Sequence, residues 1–217
     1  MYILSYFNEM SYFSRLKQLS MDMRIFQVKA NKALPVMGSI LIASPLLSDY
    51  QFTRTVILMV TNNEEGSMGI VMNKRFSYRV TLGQLVPGLE SIPVIPVFKG
   101  GPVGRDTIFF LHTIRSLKDS LEISDGLYLN GDFNELKKYL LEGNPVEGHI
   151  RFFSGYAGWE NGQLEREIKE NSWMIGYSDA QHLLADRYQR NLWSNSLCDL
   201  GQPYKLWSKY PVYPSFN

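Results

Sequence analysis

The chain has 217 residues, 45% of them hydrophobic, which is enough for a sizeable core and argues against intrinsic disorder. Lys plus Arg number 22 against 21 Asp plus Glu, a formal net charge of +1, so no whole-molecule field draws it onto nucleic acid or an anionic membrane. The one cysteine, Cys198, permits no internal disulfide and points to a reducing compartment, the cytoplasm, and no run of about 18 apolar residues predicts a membrane span.

In chain order, residues 1–20 mix Tyr, Phe and Leu with Asn8, Glu9, Arg15 and Lys17. They lack the basic start, unbroken apolar block and small-residue cleavage site of a secretion signal. They read as part of an N-terminal extension, 1–35, whose first 20 residues an upstream start codon would add. From Gly38 the pattern becomes β-like. Short runs rich in Ile, Val and Leu at 39–43 and 55–61 predict buried strands, and a polar turn over 62–66 predicts a hairpin to a strand at 68–72. A short helix is expected over 81–85, then strands at 93–98, 107–112 and 126–129. Asp132 followed by Glu135 reads as an N-terminal cap, with Leu136, Tyr139 and Leu140 at helical spacing until Gly143-Asn144-Pro145. A strand over 149–154 then leads into a strand-to-helix junction at Gly155, a helix over 163–170, a strand over 173–176 and a capped helix from Ser178 to Leu184. Short loops cannot carry parallel crossovers, so the sheet is expected to be mixed or largely antiparallel. With no repeat or linker, the fold class is α+β: one domain over 36–190, with 191–217 as an aromatic-rich tail packed on it.

The densest chemistry lies at 155–167, where glycines, Tyr156, Trp159, Gln163, Glu165 and Glu167 crowd the expected junction. One reading is structural: glycines permit positive φ and close backbone approach while the aromatics pack. The other is a ligand cleft floored by the helix start, although Glu165 and Glu167 already place negative charge there and disfavour an anion. Gly100-Gly101-Pro102-Val103-Gly104-Arg105 lacks the ending of a phosphate loop and reads as a tight turn. Ser154 has no preceding glycine and so forms no nucleophile elbow. Cys198 reads as an apolar filler, and His112, His149 and His182 show no metal-ligand spacing, so neither a metal nor a cofactor is expected. Asp49 and Arg54, five apart around Phe52, read first as a salt bridge pinning the turn between the first two strands, and otherwise as a polar end of the cleft. Asn73 at a strand end either satisfies its own turn or recognises a ligand. Glu165, placed beside Trp159, is the best acid/base candidate. The candidate cleft comprises Asn73, Gly100, Gly101, Tyr156, Gly158, Trp159, Gln163 and Glu165. Direct DNA reading is disfavoured, because the helix at 133–142 carries only Lys137 and Lys138 among acidic neighbours.

Three blocks carry a family resemblance. The first is Gly38-Ser39-Ile40-Leu41-Ile42-Ala43-Ser44-Pro45 with Asp49, Phe52, Arg54 and Val56, continuing to Gly69-Ile70-Val71-Met72-Asn73-Lys74. The second is Gly100-Gly101-Pro102-Val103 with Leu111-His112, and the third is 155–167 with Trp173. In this order, over about residues 36 to 176, they resemble the YqgE/AlgH family of bacterial proteins. One departure is Arg75-Phe76, where the family usually has a proline after Asn-Arg or Asn-Lys, so the stop after the third strand is expected to be looser. The resemblance implies a curled, even barrel-like, mixed sheet flanked by helices, a cytoplasmic setting and no established enzyme activity. Some members are described as candidate transcriptional regulators, a genetic label that brings no DNA-binding mechanism. The function expected is therefore binding of a partner protein or small ligand, with any effect on transcription indirect. The alternative is an enzyme, such as a hydrolase, with its site near Asn73, the Gly100 turn and Glu165. A third reading is self-association into a homo-oligomer through the aromatic tail.

Overall fold

The structure is a computed structural model and describes residues 28–31, 33–47 and 49–210. Most of the N-terminal extension and the last seven residues of the tail lie outside them.

Nine strands form one sheet: β1 (Ile40–Ala43), β2 (Val56–Asn63), β3 (Gly66–Val71), β4 (Val97–Lys99), β5 (Val103–His112), β6 (Leu121–Ser124), β7 (Leu127–Leu129), β8 (Ile150–Trp159) and β9 (Trp173–Gly176). Their order is β6-β7-β5-β8-β3-β2-β1-β9, with β4 attached to β8. Every pairing is antiparallel except β4 with β8, so the sheet is mixed and largely antiparallel. Among the described residues β6 and β9 do not pair, so the sheet stays open rather than closing into a barrel.

Both faces of the central strands are covered, which explains why they read as near-continuous apolar runs. Along β1, Ile40 and Ile42 enter one core while Leu41 and Ala43 enter another, the alternation that a period of two imposes. The largest core takes a residue from each of the nine strands, including Phe98, Leu127, Phe153 and Met174, so the sheet curls around it. The helices α4 (Ala180–Leu184), α5 (Asp186–Gln189), α6 (Leu192–Asp199) and α7 (Tyr204–Trp207) follow β9. Leu183, Trp193, Leu197 and Trp207 fill that core, so the aromatic tail supplies its tryptophans to the interior and does not present them to a partner. On the other face, α3 (Gln163–Lys169) covers β1, β2 and β9 through Leu164, and α1 (Leu82–Leu85) and α2 (Phe133–Leu141) cover β4, β5 and the start of β8 through Leu82, Leu136 and Leu140.

The caps follow the expected chemistry. Asp132 accepts from the Asn134 and Glu135 N–H groups at 2.8 and 3.2 Å, a bond pair worth about 1 kcal/mol to a helix start. Asp179 does the same for α4 through the His182 N–H at 2.8 Å.

The sharpest departure from expectation is at Gly155. No strand-to-helix junction lies there; β8 runs on to Trp159, and the turn into α3 comes at Glu160–Gly162. Gly155 has φ +73° inside the strand. Before the kink β8 pairs with β4 and β5; beyond it Tyr156 still faces Val103 of β5, and residues 157–159 pair with β3. Opposite it, β5 bulges between Val103 and Ile108, and the Arg105 C=O accepts from Ser154 Oγ at 2.6 Å. β5 therefore begins at Val103, inside the expected turn, and β6 is a strand that the sequence pattern did not reveal.

Candidate functional site

Two of the glycine corners meet backbone to backbone. A Cβ on Gly100 would overlap the Gly155 carbonyl oxygen, and one on Gly101 would overlap the Tyr156 carbonyl group. The end of β3 joins them through Val71 N–H to Gly100 C=O at 2.8 Å. The Tyr156 ring lies across Gly158 and Gly104 and meets Phe109 edge-on at 5.9 Å. Between Gly101, Pro102, Lys74 and Phe52 only about 10 Å³ of space remains, room for a single water.

Asn73 is engaged on both sides. Its Oδ1 accepts from the Val56 N–H at 3.0 Å and its Nδ2 donates to the Arg54 C=O at 2.8 Å, tying the end of β3 to the start of β2. Asp49 and Arg54 do not pair. Asp49 Oδ1 accepts from the Gln51 N–H at 2.8 Å, while the Arg54 guanidinium lies 4.5 Å over the Trp193 ring and donates to the Tyr210 C=O. Arg54 has φ +53°, and its guanidinium is engaged by the C-terminal segment instead of by the 45–51 turn.

Beside Trp159 stands Glu167, not Glu165. Its Oε2 accepts from the indole N–H groups of Trp159 and Trp173 at 3.0 and 2.7 Å, and its Oε1 from Gln163 Nε2 at 2.8 Å. Glu165 is exposed on the outer side of α3. Helical periodicity explains the exchange: Leu164 faces the core, so positions three and four along share its side, and 165 does not.

A larger cavity lies on the other side of Lys99 and Ser154. Segment 75–79 leaves the sheet between two bonds to β4, Lys99 N–H to Lys74 C=O at 3.1 Å and Val97 N–H to Val80 C=O at 2.9 Å. Five residues of segment, 75–79, thus lie opposite one of strand, Phe98, and the surplus arches over a groove. One lobe, about 630 Å³, has Arg75, Val80, Val94, Phe98, Arg151 and Asp186 in its walls. A second, about 590 Å³, shares Arg75, Phe76, Ser77, Tyr78 and Val80 and adds Lys99, Arg105 and Ser154. The segment with no proline, Arg75-Phe76, forms their common wall.

Arg151 is the unusual residue here. It sits in the apolar strand run Ile150–Phe153, 3% exposed, with its guanidinium 3.6 Å over the Phe98 ring. Nη1 donates to Asp186 Oδ1 at 3.0 Å and to the Leu184 C=O at 3.2 Å. Nε and Nη2 have no partner among the described residues. Burial lowers its pKa to about 10, with the Asp186 carboxylate opposing that effect, so it is cationic at neutral pH. Asp186 Oδ2 also takes Arg75 at 3.2 Å, and its backbone N–H donates to Glu147 at 2.9 Å. Counting both lobes, five cations (Arg75, Arg79, Lys99, Arg105 and Arg151) face two carboxylates, Glu147 and Asp186. Buried charges left with unmade hydrogen bonds are costly and rare, which marks the site. The sequence signal for this site is one arginine inside an apolar strand run that is otherwise buried on both faces.

His112, another sequence candidate, is part of the frame. It is fully buried; its Nε2 donates to the Asn130 C=O at 2.8 Å, and its Nδ1 accepts from the Ile114 N–H at 3.1 Å. Burial lowers its pKa. Cys198 Sγ lies 3.4 Å from Ser208 Oγ. Among the described residues no group of three or more His, Cys, Asp and Glu is placed to hold a metal ion, and no helix is long and apolar enough to cross a membrane.

A family model described as AlgH-like matches residues 40–205. A UPF0301 protein of Bacteroides thetaiotaomicron is 42% identical over 199 residues, covering 92% of this chain and all of the relative. One from Bacteroides fragilis is 44% identical over the same length and coverage. Among solved structures, the solution structure of the AlgH protein from Pseudomonas aeruginosa superposes with a TM-score of 0.62 at 28% identity, covering 85% of this chain and 98% of that one. A crystal structure of a Corynebacterium diphtheriae protein reaches 0.68 at 20% identity, over 86% of this chain and 97% of the other, a likeness of fold alone.

Proposed function

The chain belongs to the AlgH-like family, and on that premise we propose that it works in the cytoplasm by binding a small anionic ligand in the groove under segment 75–79. Any effect on transcription is then indirect, exerted through the ligand or through a partner that responds to it. The observation carrying this reading is the pair of unpartnered Arg151 nitrogens in the wall of a cavity whose volume lies in the range of small-molecule sites. The surplus of basic side chains around the groove, in a chain of net charge only +1, supports an anion over a neutral or cationic ligand. The glycine corner, with Gly100, Gly101, Tyr156, Gly158, Trp159, Gln163 and Asn73, serves in this proposal as the rigid frame that holds Lys99 and Ser154 at the groove's edge.

The test is calorimetric titration of the purified full chain with a panel of small carboxylates, sulfonates and phosphates at low salt. Saturable binding of at least one, weakened in Arg79→Ser and Arg105→Ser, is expected. Binding by none of them, or binding that ignores both substitutions, would remove the groove as the ligand site.

A further inference from the structure

Resting on the anion-groove reading, we infer that the ligand is a small phosphate monoester with an aromatic body, its phosphoryl group on the free edge of Arg151 and its ring against Phe76 and Tyr78. The guanidinium is a planar fork, and the Nε and Nη2 N–H groups leave it in parallel from one edge. That edge fits two oxygens of a single phosphoryl or carboxyl group, and it is the edge left without a hydrogen-bond partner among the described residues, since Asp186 and Leu184 take up Nη1.

Charge separates the two anions. Five cations against two carboxylates leave an excess of three positive charges around the groove. A carboxylate would offset one of them, whereas a phosphate monoester carries about −1.5 to −2 at pH 7. Lys99 and Arg105 in the second lobe lie where a dianion in the shared region would meet them as well.

The walls describe the rest of the ligand. Phe76 and Tyr78 stand with ring centroids 6.0 Å apart and planes tilted by 35°, and Tyr78 is 71% exposed. Val94 and Leu85, also large and exposed, lie in the walls of the two lobes. Exposed apolar surface gathered at the mouth of a basic groove suits a flat aromatic body, which gains from stacking and from burial together.

Entry requires one side chain to move. The two unpartnered nitrogens are covered as the molecule stands, and Arg75 shares the surroundings of Arg151, 5.2 Å over the same Phe98 ring and paired with Asp186 at 3.2 Å. Its side chain is 62% exposed, and an exposed pair of this kind is readily exchanged. Release from Asp186 would uncover Arg151 and free Arg75 to bind the same phosphoryl group.

The experiment titrates the full chain with phenyl phosphate, benzoate, inorganic phosphate and a phosphotyrosine peptide, read by calorimetry and by the phosphorus NMR shift. Phenyl phosphate should bind about tenfold more tightly than benzoate and than inorganic phosphate, and more tightly than the peptide. Tyr78→Ala should weaken phenyl phosphate while leaving inorganic phosphate unchanged. Arg75→Ser should weaken both, and Arg151→Met should abolish binding; circular dichroism establishes which variants are folded, and Arg75→Ser and Tyr78→Ala carry the test if Arg151→Met is not. Benzoate binding as tightly as phenyl phosphate overturns the phosphoryl assignment and leaves the anion groove standing. Tighter binding of the peptide overturns the small-molecule assignment. Phenyl phosphate binding that is indifferent to Arg75→Ser and Tyr78→Ala, or no binding by any of the four, overturns the inference altogether.

Discussion

Gly101 lies so close to Tyr156 that the two backbones leave no room for a side chain: a Cβ there would overlap the Tyr156 carbonyl carbon and oxygen and the Ala157 nitrogen. The obstruction is backbone within a paired strand and cannot rotate away. Gly101→Ala should therefore cost about 3 kcal/mol or more, at the upper end of overpacking effects, seen as a lowered urea midpoint. Gly126→Ala, where nothing lies within 4 Å but φ is +70°, should cost about 1 kcal/mol through conformational strain alone.

Glu167 holds two buried indoles. Glu167→Ala leaves the N–H groups of Trp159 and Trp173, 7% and 1% exposed, without an acceptor and should destabilise by about 2 to 4 kcal/mol. Glu167→Gln keeps an acceptor oxygen and should cost less. Glu165→Gln should stay within about 0.5 kcal/mol, as exposed substitutions do. Denaturant melts followed by tryptophan fluorescence rank the three, and a Glu165 effect equal to that of Glu167 would contradict the geometry.

Asn73 uses both ends of its amide, so Asn73→Asp loses the donor to Arg54 while keeping the acceptor for Val56. A cost of about 1 to 2 kcal/mol is expected, and Asn73→Ala, which loses both bonds and leaves the Val56 N–H without its acceptor, should cost more. Hydrogen exchange at the Val56 amide should accelerate in the alanine variant and much less in the aspartate one.

His112 makes stability fall in mild acid. The Ile114 N–H can only donate, so Nδ1 must keep its lone pair, and burial lowers the pKa below the ordinary 6.5. As the pH falls through 6.5 the unfolded chain takes up a proton that the folded chain refuses, so stability drops, by up to about 1.4 kcal/mol per pH unit, until the folded group also titrates. Chemical denaturation between pH 7 and 5 should show that slope. It should be reduced in His112→Asn, whatever the overall stability of that variant.

Asp186 joins Arg151 and Arg75. Asp186→Asn removes the countercharge of a buried guanidinium and should cost about 2 kcal/mol, less than a fully buried pair because Asp186 is itself 36% exposed. Arg75→Ser breaks only the exposed half and should change stability by less than about 1 kcal/mol.

The strand and helix pattern was legible because it follows from local periodicity. The apolar runs of β1 and β2, the Asp132 cap and the Gly143-Asn144-Pro145 stop are all properties of a few neighbouring residues, and the family resemblance rests on three such blocks. Gly155 was misread as the end of a strand because a glycine at positive φ ends one in isolation; only the presence of β3, β4 and β5 around it makes the same conformation a kink within a strand. Asp49 and Arg54 were paired by nearness along the chain, whereas the Arg54 guanidinium lies over Trp193.

What the sequence alone determined is the kind of molecule: an α+β domain of one lineage, near neutrality, with sheet strands buried on both faces. Which side chains face one another was decided by the tertiary structure. Arg151 is one arginine among many until β8 places it over Phe98, α5 brings Asp186 to one end of its guanidinium, and the arch of segment 75–79 brings Arg75 to the same carboxylate. Arg75 and Asp186 are 111 residues apart in the chain, and a contact over such a distance is set by packing of the whole core, which no local pattern records.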